Sequence, residues 1–143
     1  MANSVPLKTK ERYQDGLIDP NSDAVYAVLV ETGSGHFVYN ASTHGALSDI
    51  ASGDRIAQSS NLANKSITNG VFDADDVFVD TSAASGRAVG AIVVICDHGG
   101  TDATRYILAY LDTGTGLPFT TNANGVNIRW DNGANKITAL TGT

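Results

Sequence analysis

Apolar and polar positions along this chain fall into short runs with two distinct patterns. Three runs are long and mostly apolar: AVYAVLV at 24–30, AVGAIVVIC at 88–96 and RYILAYL at 105–111. They are rich in β-branched residues, which predicts strands covered on both faces. Val93 and Leu108 lie inside two of them and are expected core anchors. Elsewhere the pattern alternates. In GVNIRWDNGANKITAL, residues 125–140, Val126, Ile128 and Trp130 share one face of a strand, while Asn127 and Arg129 share the other. Asn132-Gly133 follows, a pair able to take the positive φ of a tight reversal. The stretch predicts a β-hairpin, with Ile128 and Trp130, the only tryptophan, anchored in the core.

Shorter signals fill the rest. His36–Tyr39 is a candidate return strand after the turn at 32–35. Arg55–Ala57, Lys65–Thr68, Val71–Phe72 and Val77–Val79 are further short strands, with Asn69-Gly70 as a turn. Leu117–Thr120 is expected to pair back on the strand at 105–111, on an edge, because Pro118 cannot donate to a ladder. One short helix is expected within 42–53, where Ala46, Leu47 and Ile50 have helical spacing. Residues 1–22, polar and punctuated by Pro6, Asp15-Gly16 and Asp19-Pro20, read as an extended N-terminal arm with turns. Roughly eight to ten strands with turn signals every ~8–12 residues predict an all-β fold, an antiparallel sandwich or barrel, over residues 23–143. No helices separate the strands, which argues against parallel βαβ architecture.

Composition agrees with that class. Only 17% of residues are charged, and Thr, Ser, Asn and Gly supply the polarity. The net charge of −6 argues against a nucleic-acid-binding body, which needs clustered cations. The exception is the arm, where Lys8, Lys10 and Arg12, with Tyr13 beside them, suit a protein partner with an acidic surface. Cys96 is the single cysteine and reads as a small buried hydrophobe. The opening residues lack the apolar region of a signal peptide, and no run approaches the ~18 residues of a membrane span. The expectation is a chain made and kept in a reducing compartment, with no membrane partner.

Candidate chemistry is sparse. Asp112-Thr113-Gly114 matches the aspartic-protease triplet, which would require a dimer to bring two carboxylates together, yet it also reads as a plain turn after a strand. Asp73, Asp75 and Asp76 are weak candidates for a hard cation. Their spacing lacks the EF-hand's distal Glu, and strand geometry puts Asp76 on the face opposite Asp73 and Asp75. His36, His44 and His98 are too dispersed for structural zinc. Neither a nucleophile elbow nor a phosphate-binding glycine loop occurs, so no catalytic residue and no cofactor is expected.

The succession AVYAVLVET, HGALSDIASGDRIAQSSNLANKSITNGVFDADDVFV, AIVVICDHGG and ILAYLDTGTGLPFTTNANGVNIRWDNGANKITAL resembles small virion structural proteins of tailed bacteriophages. Within that group it is similar to head decoration, or capsid cement, proteins. Residues 66–77 and WDNGANKI at 130–137 carry the likeness most specifically. The resemblance implies a non-enzymatic protein, made in the host cytoplasm and placed on the outer surface of the phage head. There it would clamp neighbouring subunits of the major capsid protein, often as a homotrimer, with residues 1–16 as the docking arm. The alternatives are a tail or head-completion component, and an ion- or carbohydrate-binding β-sandwich module.

Overall fold

The computed structural model describes residues 3–133 and 136–139. It contains one α-helix, α1 (Leu7–Gln14), and eleven short strands: β1 (Ala24–Val30), β2 (Arg55–Gln58), β3 (Ser66–Thr68), β4 (Val71–Asp73), β5 (Val77–Val79), β6 (Ala88–Val89), β7 (Ala91–Asp97), β8 (Arg105–Leu111), β9 (Phe119–Thr120), β10 (Val126–Ile128) and β11 (Thr138–Ala139). The fold is all-β, and every strand pairing is antiparallel.

A central four-stranded sheet, in the order β2-β1-β7-β8, is built from the three long, mostly apolar runs. Successive side chains of a strand point to opposite faces, so a wholly apolar strand must be buried on both. Val25, Ala27 and Leu29 of β1 join Val94 and Cys96 of β7 on one face. Tyr26, Val28 and Val30 join Val93 and Ile95 on the other. Between Val94 and Ile95 the β7–β8 register shifts, pairing Val94 with Ala109 and Ile95 with Ile107. The extra residue, Leu108, thereby shares the first face with Ala109.

The first face packs against the small sheets β10-β5, β11-β4-β3 and β6-β9, which contribute Phe72, Val79, Val89 and Ile128, and against Trp130 just after β10. The second is covered by irregular chain, through Phe37, Tyr39, Leu47 and Ile50. The four expected anchors, Val93, Leu108, Ile128 and Trp130, are all buried.

Several sequence expectations are corrected. The N-terminal arm is not extended: α1 forms at its centre and lies on the body. Pro6 precedes it, with a φ of −58° suited to a helix start. Thr9 is completely buried and its hydroxyl donates to the Ile107 carbonyl. Arg12 donates to the Gly45 carbonyl and lies 4.1 Å from the Tyr106 ring centroid. An eight-residue helix is marginal alone, so these tertiary contacts decide its state, and local sequence pattern does not report them.

The helix expected within 42–53 is instead two 3-10 turns, Leu47–Asp49 and Ser52–Asp54. Asp49 folds back to accept bonds from the Gly45 and Ala46 amides, closing the first. His36–Tyr39 makes no strand; only Phe37 bridges back, to Thr32. The run at 88–96 breaks at Gly90, where a side chain would collide with Thr32. The segment 117–120 pairs, as β9, with β6 rather than β8.

Among the described residues, the hairpin expected at 125–140 does not pair with itself. β10 pairs with β5 and β11 with β4, so the stretch ties two small sheets together. The reason lies at Trp130. Its backbone amide donates to Asp76 Oδ1 and its indole Nε1 to the Asp75 carbonyl, both at 2.9 Å, which draws the strand toward 75–79. Asp131 Oδ1 accepts the Gly133 amide in a tight local turn, and Gly133 does not take positive φ. Ala134, Asn135 and Leu140 lie outside the described residues.

Candidate functional site

The residues singled out for chemistry separate into groups with different fates. Of the basic stretch, Lys8 and Lys10 are exposed on α1, whereas Arg12 and Tyr13 turn inward. Arg12 is engaged by Gly45 and Tyr106 as described. Tyr13 packs against the core, where burial first and the Cys96 sulfur second push its hydroxyl up to about 12. Only half of the expected docking set is therefore available to a partner.

The acidic cluster is spent on structure. Asp76 accepts from Trp130, Asp75 Oδ2 accepts from Asn64 Nδ2 at 2.6 Å, and Asp73 Oδ1 caps the Ala74 amide while Lys136 stands 3.8 Å from Oδ2. These oxygens face four different partners, and among the described residues no group of His, Cys, Asp or Glu is arranged to hold a metal ion.

Asp23 makes a convergence that sequence reasoning missed. Its Oδ2 lies 3.6 Å from Cys96 Sγ and 3.1 Å from His98 Nδ1. Cys96 and His98 are two apart in sequence, a spacing that puts side chains of extended chain on one face. The chemistry is structural. The Cys96 sulfur is fully buried, and burial first, then the Asp23 carboxylate, push its thiol up to about 12. A nucleophilic cysteine needs the opposite shift. The Asp112-Thr113-Gly114 turn is clamped by Asn3, whose Oδ1 accepts both the Asp112 and Thr113 amides at 2.9 Å.

A groove of about 1230 Å³ opens beside that turn. The ends of β8, β9 and β10 meet there with the N-terminal segment. Half-buried Leu111, Leu117, Phe119 and Val126 give its floor an apolar part, over the buried Ile128, Trp130 and Ile137. Among the described residues its lining carries Lys10, Arg129, Lys136 and Asp131, with Lys136 3.8 Å from Asp73 Oδ2. Sequence analysis placed Arg129 on the polar face of its strand but did not connect it to Lys10, more than a hundred residues away. Only the fold brings them to one rim.

No protein-family model matches this chain, and a search of the curated proteins finds no match.

Proposed function

We propose that this protein is a structural component of a tailed-bacteriophage virion, a decoration protein that binds the outside of the head and stabilises contacts between major capsid subunits. Three lines support the reading. The sequence resembles that group over most of the folded body. The fold is all-β with a densely buried central sheet, a rigid platform for docking. The titratable clusters located above are engaged in holding the fold.

The observation that carries the reading is the groove: an apolar floor with a charged rim suits a protein surface. At 1230 Å³ it exceeds the roughly 300–1,000 Å³ typical of small-ligand pockets. Function on this reading is mass action. A protein that binds assembled capsid and not free subunits stabilises assembly by about 2.7 kcal/mol per site at a hundredfold excess over Kd. A homotrimer would add avidity by engaging several subunits at once.

Gold-labelled antibody against the purified protein, applied to intact virions of the encoding phage, tests the assignment. Label on the outer face of heads is the expected result. Label confined to tails moves the protein to a tail role, and unlabelled virions overturn the virion assignment.

A further inference from the structure

The groove's charge is opposite to that of the protein bearing it. The whole chain has 9 Lys and Arg against 15 Asp and Glu, a net charge of −6. Among the described residues the groove gathers the exposed Lys10 and Arg129 against Asp131, and Lys136, whose ammonium stands 3.8 Å from Asp73 Oδ2. Lys10 and Arg129 are exposed and come from opposite ends of the sequence, so their meeting reflects tertiary placement rather than a basic run. Opposite charge at a rim orients and selects a partner, whereas apolar contact at the floor holds it.

The strands around the groove also define the partner's shape. Among the described residues, β9 pairs only with β6, and β10 only with β5. Each therefore has one edge turned away from its partner strand. A strand edge is a template for an extended chain, giving main-chain hydrogen bonds while alternate side chains enter pockets. A partner segment with period-two apolar residues would put those on Leu111, Ile128 and Trp130, and its intervening residues at the rim.

From this placement we infer that the groove is a docking site for an extended acidic segment of a partner protein, with apolar side chains alternating with Asp or Glu. The identity of the partner as a virion shell protein rests on the function proposed above; the chemistry of the groove does not.

The test is selection from a random dodecapeptide library on the full-length protein, followed by fluorescence anisotropy of the enriched peptides. Two variants accompany the wild type, each checked for folding by circular dichroism. The double charge reversal Lys10→Glu/Arg129→Glu alters exposed side chains only, and Leu111→Asp alters the floor. Enriched sequences should alternate apolar and acidic residues, and the double reversal should weaken their binding about tenfold or more, the equivalent of ~1.4 kcal/mol. Added salt should weaken the wild-type complex and not the double variant's. No enrichment, enrichment of basic peptides, or binding unchanged in both variants overturns the inference.

Sedimentation with purified, undecorated heads separates this from the broader reading. Heads that capture the double variant as well as the wild type put docking on another surface and overturn the groove. Acidic peptides that bind the groove while heads capture neither protein support the groove and contradict the decoration role.

Discussion

Trp130 and Cys96 show how little of this protein's side-chain chemistry is left over from holding it together. Trp130 is buried and ties its own stretch to residues 75–76, through its amide bond to Asp76 and its indole bond to Asp75. Trp130→Ala should cost about 3–5 kcal/mol through the lost ring. Asp76→Ala should cost about 1–3 kcal/mol by stranding the Trp130 amide. Urea unfolding followed by the single tryptophan's emission measures the second variant, and circular dichroism measures the first. Cys96 gives a pH signature with a definite sign. Its thiol is pushed from 9.0 to about 12, and the Tyr13 and Tyr110 hydroxyls from 10.0 to about 12, burial being the first cause in each. Raised values mean that the folded state keeps protons which the unfolded chain releases. The associated stability is whole below pH ~9 and is lost as pH climbs toward ~12, at up to about 1.4 kcal/mol per pH unit for each group. The urea midpoint should therefore fall steadily above pH ~9, and less steeply between ~9 and ~10 in Cys96→Ala. A flat profile would contradict the buried, protonated thiol.

At the scale of elements, α1 matters most, because it changes what the N-terminal residues do. It runs beside the edge of β8: the Thr9 hydroxyl reaches Ile107, the Ser4 backbone pairs with Tyr110, and Arg12 covers Tyr106. Removing residues 1–16 should thus lower the melting temperature of the whole protein rather than trim a free tail. Thr9→Val keeps the volume, removes the hydroxyl, and should cost about 1–3 kcal/mol by leaving a buried carbonyl without its donor. Calorimetry on both checks this, and an unchanged melting temperature in the truncated chain would return the arm to solvent. The same elements show what was legible in the sequence. The runs at 24–30 and 105–111 became β1 and β8 as expected, because continuous burial writes itself into every residue of a strand. Pairing partners were not legible for the short strands. β10 has three residues and β11 two, too few for local pattern to outweigh one buried tryptophan with two hydrogen-bond partners fifty residues away. α1 escaped notice for a related reason: its single buried position, Thr9, is polar and leaves no apolar stripe.

Across the whole molecule, the acidic body and the basic rim of the groove are the facts that bear on function. The strands that build the rim were largely readable in advance, yet the rim was not, since its cations come from residues 10, 129 and 136. Composition located basic residues at the N-terminus and credited them to a flexible arm. The fold instead turns Arg12 and Tyr13 inward and gives Lys10 to the groove, so a partner meets a preformed surface and the ordering cost of an arm is already met within the fold. The most direct test of that account is sedimentation of the purified protein with undecorated heads of the encoding phage across a concentration series. Saturation at a fixed number of copies per head, with a raised temperature of DNA release at saturation, is the expected result. Heads that pellet without the protein at every concentration would contradict it.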